Sequence, residues 1–206
     1  MEGNNNSLET LENLDQSILS LSKLSLVLAV YLDVKLVCDL TIEAGDILDL
    51  ERKTKKFKEI LSKLGLKFKE SYQKLDYTYI TDEKDLMHFS ISKSEDNFTS
   101  RPDFGDSNLS EEEKREKHIE YGVALGFPKT AVQAFVDGTT YKIFELVDII
   151  TPEEFAFLYF APSKRHLEEE LELVHSFARK TKAASPKLYQ ILLKDANELY
   201  YRVKEV

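Results

Sequence analysis

The sequence predicts an α+β fold in which a small, mainly antiparallel sheet with helices in the N-terminal half precedes an all-α C-terminal half. In the first half, the spacing of the apolar residues changes from three and four, which is helical, to strict alternation, which is typical of a strand. In the second half, every apolar pattern keeps the helical spacing, and several signals for helix starts precede these patterns.

A polar stretch between the two patterns predicts the domain boundaries. Residues 95–108 contain Pro, Gly, Ser and Asp and few apolar side chains, which indicates a linker or long loop. We therefore predict an α+β half over residues 7–94 and a helical half over residues 109–206, packed together as one globular unit.

The composition excludes several classes of protein. The apolar and charged fractions, 42% and 32% of 206 residues, are those of a soluble globular protein. No apolar run approaches the roughly 18 residues of a membrane span, and the N-terminus lacks the basic region of a signal peptide. A single cysteine, Cys38, excludes an intrachain disulfide and a multi-cysteine metal site. We expect a cytoplasmic protein without a membrane partner.

The N-terminal pattern predicts one long helix, with Ser7 as its N-cap. Its apolar residues are three, four or seven positions apart and would share one face of the helix: Leu11, Leu14, Ile18, Leu21, Leu28 and Leu32. We favour packing of this helix on its own domain. The alternative is a coiled-coil seam that forms a homodimer through the N-terminal helix.

Alternation and turn residues predict the remaining elements of the first half. Apolar residues alternate from Val34 to Ile42, which predicts a strand with Cys38 on its apolar side. A helix from about Leu50 should end at Gly65. Further strands are predicted to begin at Leu66 and to cover residues 77–81 and 87–92.

Capping signals place the helices of the second half. Ser110 begins a helix that ends near Leu125, and Thr151-Pro152 begins another. Two longer helices follow, the last of them starting at Ser185-Pro186. Their predicted inward residues are Leu167, Leu171, Val174 and Ala178 in the first, and Leu188, Ile191, Leu192, Leu199 and Val203 in the second.

The stretch Gly126-Phe127-Pro128 predicts a corner between two helices. Gly126 can end a helix with a left-handed backbone, and Pro128 can start the short helix that runs to Val136. The free N–H groups of that helix start could bind an anion. A purely structural corner is the interpretation that we favour.

Two segments resemble a known family. "EYGVALGFPKTAVQAF", residues 120–135, resembles the hallmark of an uncharacterised archaeal family, number 483 among the domains of unknown function, whose members carry Gly-Tyr-Pro-x-Cys-Cys followed by an aromatic residue. "FAFLYFAPSKRHLEEELEL", residues 155–173, resembles the family's second segment, an apolar run followed by Pro-Cys and another Cys. Here Thr130 and Ala131 occupy the paired-cysteine positions and "APSKRH" has no cysteine. The resemblance therefore implies a retained fold and a lost cysteine site, and it implies no activity.

Three functions follow as hypotheses. We favour a non-enzymatic binding or interaction protein without catalytic residues or a cofactor. The alternative is an enzyme or a binder of a small anion at the helix start after Pro128; its ligand-binding residues would be Lys129, Thr130, Lys164, Arg165 and His166. The third is a nucleic-acid protein that uses the Lys53–Lys69 cluster. A net charge of −9 and the predominance of lysine over arginine disfavour it.

The histidines predict no metal site. Glu172 and His175 form an E-x-x-H pair, but a carboxylate-bridged site needs a second copy of this motif. The four histidines show no spacing that would gather them locally: His88, His118, His166 and His175. Tyr200 and Tyr201, beside Arg202, could stack on bases, although helix packing is the interpretation that we favour.

Overall fold

The structure is a computed structural model that describes residues 5–14, 16–75, 84–98 and 108–205. Within these residues the α+β class is confirmed, with an antiparallel sheet in the N-terminal half and helices in the C-terminal half. The chain forms two compact units. The sheet unit comprises the chain up to Tyr31 and Val37–Phe98, and the helical unit comprises Leu32–Leu36 and the chain after Phe98.

The sheet unit packs helices against three strands. Its described elements are α1 (Asn5–Glu12), α2 (Leu21–Tyr31), β1 (Val37–Ala44), α3 (Ile47–Lys63), β2 (Lys67–Leu75), β3 (Lys84–Ser92) and a 3-10 turn (Glu95–Asn97). The strand order is β1-β3-β2, and β3 is antiparallel to both neighbours. Phe89 of β3 lies at the centre of the core, where the rings of Phe57 and Phe68 contact it edge-on.

The prediction of one long N-terminal helix was wrong. Helix α1 ends at Glu12, and α2 begins at Leu21. The carbonyl of Ser20, the residue before α2, accepts a hydrogen bond from the Leu24 N–H. Ser7 lies inside α1 and is not its N-cap. Ile18 in the intervening turn is buried. Helical spacing persisted in the sequence because a turn can bury apolar residues at the same intervals as a helix.

The first strand begins later than predicted. Cys38 and its alternating neighbours on β1 are buried, as expected, but Leu36 is 55% exposed and belongs to the helical unit. The residues before β1 contact the helical unit instead of continuing the strand. The ammonium of Lys180 donates to the carbonyls of Leu32 and Asp33. Alternation alone could not show this change. The predicted strand at 77–81 lies outside the described residues.

The predicted end of α3 is confirmed. The backbone turns at Gly65 with φ +68°, a left-handed conformation that glycine adopts without strain. At the other end, the carboxylate of Asp46 accepts a hydrogen bond from the Asp49 N–H at 2.9 Å and caps the helix.

The helical unit follows the predicted starts closely. Its described elements are α4 (Glu111–Ala124), α5 (Lys129–Val136), α6 (Ile143–Leu146), α7 (Pro152–Phe157), α8 (Leu167–Ala184) and α9 (Pro186–Lys204). Capping boxes form at Ser110 and Thr151, and the Ser185 hydroxyl accepts a hydrogen bond from the Leu188 N–H. Across the described parts of both units, no helix is long and apolar enough to cross a membrane.

The core of the helical unit forms where α7, α8 and α9 meet. The ring of Phe157 contacts Phe177 edge-on and stacks on Tyr189. Val174 and Ala178 of the predicted inward face of α8 are buried, as expected. Leu167 and Leu171 are only half-buried, and the face instead includes Phe177, which is fully buried. Leucine spacing on this helix was therefore a weaker guide than its single phenylalanine.

The inward face of α9 follows the prediction at Leu188 and Leu192, which are buried, and departs from it toward the end of the helix. Leu199 is 42% exposed, whereas Tyr200 is buried. The Tyr200 hydroxyl reaches two backbone carbonyls, at 2.7 Å from Val147 and 3.0 Å from Ile150. Packing, rather than base stacking, thus accounts for this tyrosine.

Candidate functional site

The helix corner is built as the sequence predicts. Gly126 has φ +83°, and its N–H donates to the carbonyl of Val123 at 2.9 Å, which closes α4. Pro128 is the N-cap of α5, and its carbonyl accepts the N–H of Val132 at 3.0 Å. The break in the helical pattern is therefore explained by backbone geometry.

The segment Leu32–Leu36 covers this corner. A Cβ atom at Gly126 would lie 2.8 Å from the backbone nitrogen of Leu36, so a side chain has no space there. Lys35 is only 4% exposed, and its ammonium lies 3.2 Å from the ring centroid of Phe127, which is a cation–π contact. The chain itself therefore provides the cover for the Phe127 ring.

Part of the segment 155–173 lies at the far end of α5. Ser163 forms an antiparallel bridge with Thr140, and the Lys164 N–H donates to the carbonyl of Thr139 at 3.1 Å. Both threonines follow the end of α5 at Val136. A helix of eight residues is about 12 Å long. Lys129, at its start, is therefore separated from Lys164 by the length of the helix.

Lys164 pairs with a carboxylate. Its ammonium lies 2.7 Å from the carboxylate of Glu145 and 5.5 Å from the ring centroid of Tyr141. A hydrogen bond from the Lys142 backbone and the contact with Lys164 lower the pKa of Glu145. The lysine thus stabilises a local carboxylate.

The other two basic residues of this segment also face carboxylates. Hydrogen bonds from Gln133 and Arg115 lower the pKa of Asp137, and the nearby positive charge of Arg165 adds to the effect. His166 is the N-cap of α8, with Nδ1 3.4 Å from the carboxylate of Glu169. The structure therefore does not bring the five predicted ligand-binding residues together around one position.

The Lys53–Lys69 cluster lies on α3 and β2 and is mixed in charge. Lys53 pairs with Asp49 at 2.8 Å, and Lys58 pairs with Glu70 at 2.6 Å. A groove of about 760 Å³ runs along α3 and is lined by both signs of charge: Glu51, Thr54, Lys55, Lys58, Glu59, Ser62, Lys63 and Met87. Such a surface lacks the continuous positive field that attracts nucleic acid.

His175 links two helices. Its Nε2 lies 2.8 Å from the carboxylate of Glu154 on α7, and its Nδ1 lies 3.7 Å from that of Glu172 on α8. Burial raises the pKa of Glu154, but hydrogen bonds from Thr151 and His175 outweigh burial and lower it. Among the residues that the structure describes, no three His, Cys, Asp or Glu side chains gather as metal ligands.

The feature that the sequence analysis missed is the α6 segment, Lys142–Ile150. Its inner side is core: Leu146, Val147 and Ile150 are each at most 4% exposed. Its outer side is also apolar, with Ile143 at 50%, Phe144 at 59% and Ile149 at 52% exposure. Six of the nine residues in "KIFELVDII" are apolar, more than one helix face can bury. That density is the signal that could have revealed it.

Charged residues flank this outer side at its two ends. The ammonium of Lys142 lies 5.7 Å from the ring centroid of Phe144, and Asp148 lies in the turn after α6, four residues beyond Phe144. Both charged side chains are exposed. We call Lys142, Ile143, Phe144, Asp148 and Ile149 the α6 outer face.

Comparisons with known proteins add no assignment. No family model matches the chain, and neither the curated proteins nor the solved structures gave a significant match.

Proposed function

We propose that this chain is a non-enzymatic interaction protein that docks another protein on the α6 outer face. The observation that carries the proposal is the exposure of Ile143, Phe144 and Ile149 in a short segment whose other apolar residues are core. Covering apolar surface stabilises an association by about 25 cal/mol per Å². An aromatic ring flanked by aliphatic and charged residues is typical of a docking centre.

The segment is held firmly from behind, which supports the proposal. The Tyr200 hydroxyl donates to the carbonyls of Val147 and Ile150, and the ammonium of Lys204 lies 3.4 Å from the Val147 carbonyl. A short segment that is anchored at its own carbonyls loses little conformational freedom on binding. The outer face is therefore preorganised.

The contacts at the corner favour this function over an anion site. At one end of α5, Lys164 pairs with Glu145 and the charge of Arg165 acts weakly on Asp137. Lys129 and Thr130 lie at the other end of this helix. In keeping with the family resemblance, we propose that the chain retains a family fold without its cysteines. Thr130 and Ala131 provide no thiolate at the positions in question.

Photo-crosslinking tests the docking surface. Phe144 is replaced by a benzoyl-phenylalanine crosslinker, and a matched variant carries the crosslinker at Gln190, an exposed position on α9. We expect specific protein adducts from position 144 that Ile149→Ser abolishes, and none from position 190. Equal labelling from both positions, or none from 144, would contradict the proposal.

A substrate screen tests the non-enzymatic part. The purified chain is incubated with panels of hydrolase, transferase and oxidoreductase substrates, alongside Lys129→Ala. We expect no turnover above that of the buffer. Turnover that Lys129→Ala abolishes would show that the corner is a catalytic site after all.

A further inference from the structure

We infer that a second copy of this chain docks on the α6 outer face, in a symmetric pair with the two segments antiparallel. The inference rests on the proposed function and names its partner. Its basis is the order of the charged residues along the segment: Lys142 lies at the start, Phe144 follows two residues later, and Asp148 lies near the end. When two copies of this segment lie antiparallel, the lysine of each copy faces the aspartate of the other.

The charges at both ends are available for a partner. Lys142 and Asp148 are exposed, and within the described residues neither forms a salt bridge. They lie six residues apart in the sequence, Lys142 at the N-cap of α6 and Asp148 in the turn that follows the helix. A two-fold axis beside the midpoint of the segment would place Lys142 of each copy opposite Asp148 of the other, with the two Phe144 rings close to the axis.

The midpoint of the segment is compatible with such an axis. Glu145 lies there, and two carboxylates facing each other across the axis would repel. Its carboxylate, however, is already paired with Lys164 at 2.7 Å. The apolar side chains and the two terminal charges are therefore what each copy presents. A two-fold interface repeats every favourable contact twice, which favours a second copy as the occupant.

The apolar area sets the expected strength. A standard interface covers about 800 Å² on each partner, and three partly exposed side chains are the centre of such a surface rather than the whole of it. We therefore expect a dissociation constant in the micromolar range, about −8 kcal/mol at 1 μM. The dimer should dissociate on dilution.

A charge swap tests this inference on the purified full chain. Sedimentation velocity over a concentration series should show a dimer for the wild type and dimerisation weakened about tenfold or more for both Lys142→Asp and Asp148→Lys. An equimolar mixture of these two variants should dimerise, because each Asp of one then faces a Lys of the other. The double variant, Lys142→Asp with Asp148→Lys, should regain wild-type association.

The failures of the two proposals are distinguishable. A dimer that the single variants leave intact would place self-association elsewhere, for example on the N-terminal helices, and would overturn the inference. A wild type that stays monomeric, with adducts to a different protein from position 144, overturns the inference and leaves the proposed function standing. A monomer without adducts from position 144 overturns both.

Discussion

The Gly126–Pro128 corner and the α6 outer face each place a phenylalanine beside a lysine, but they differ in what covers the ring. At the corner, Lys35 is buried and its ammonium lies 3.2 Å from the centroid of Phe127. On the α6 outer face, the ammonium of Lys142 is 5.7 Å from the centroid of Phe144, and that ring is 59% exposed. The chain covers the first ring itself and leaves the second open.

The difference separates an aromatic ring that contacts within the fold cover from one that the fold leaves exposed. The corner has the more conspicuous sequence, yet contacts within the helical unit account for Gly126, Phe127 and Pro128. The α6 outer face has no distinctive motif, yet it exposes apolar area that folding does not use. Conspicuous spacing therefore did not point to the proposed docking surface, whereas exposed apolar area does.

Substitutions on the inner and outer sides of the α6 segment should differ most in their effect on the free energy of unfolding. Leu146→Ala removes a side chain that is 3% exposed, and we expect a loss of about 2–5 kcal/mol in the free energy of unfolding. Phe144→Ala on the outer side should change it by no more than about 0.5 kcal/mol. Urea unfolding measures both. Equal losses would show that Phe144 belongs to the core.

The next effect tests whether the corner is structural. Gly126→Ala introduces a Cβ atom 2.8 Å from the Leu36 nitrogen at φ +83°, so strain and steric overlap should cost about 2–4 kcal/mol. Gly138→Ala is the matched control. Gly138 has φ +66° with open space around its Cβ position, and only the backbone term, about 1 kcal/mol, should remain. A loss at Gly126 no larger than that at Gly138 would contradict the close contact.

A smaller effect tests the anchor of the α6 segment. Tyr200→Phe removes the hydroxyl that lies within hydrogen-bond distance of the carbonyls of Val147 and Ile150. These carbonyls then lose a buried hydrogen-bond donor. We expect a loss of about 1–2 kcal/mol in thermal or urea unfolding. Amide exchange over residues 147–150 should also accelerate. Unchanged exchange there would mean that the anchor lies elsewhere.

The smallest effect is a dependence on pH at α7, which follows the α6 segment. Hydrogen bonds lower the pKa of Glu154 below its ordinary value of 4.5. Its ionised form therefore stabilises the native state above that pH, and this contribution is lost as the pH falls through the lowered pKa. Glu154→Gln should be destabilising at pH 7 and less destabilising at pH 3. A difference from wild type that stays constant between these pH values would contradict the assignment.

The parts of the fold that local chemistry determines were predictable. The caps at Ser110 and Thr151 and the left-handed glycines at Gly65 and Gly126 lie where the sequence places them, because each depends on a few adjacent residues. The break after α1 was not predictable. Buried Ile18 keeps the helical interval from within a turn.

The candidate site was the harder part to predict. Lys164 and Arg165 were expected at the start of α5, but their positions depend on the bridge between Ser163 and Thr140, a pairing of residues far apart in sequence. The exposure of Phe144 depends on which side of the α6 segment faces the core, and the hydrogen bond from Tyr200 to the Val147 carbonyl contributes to that orientation. Tertiary contacts of this kind leave no periodic trace in the sequence.

Hydroxyl-radical footprinting can decide whether the α6 outer face is a docking surface, because it reports the exposure of Phe144 and Phe127 in one sample. In dilute purified protein, Phe144 should be oxidised much faster than Phe127. In concentrated protein or cell extract, oxidation of Phe144 should fall severalfold while that of Phe127 stays constant. An oxidation rate at Phe144 that is the same in all three conditions would contradict a docking surface on the α6 outer face.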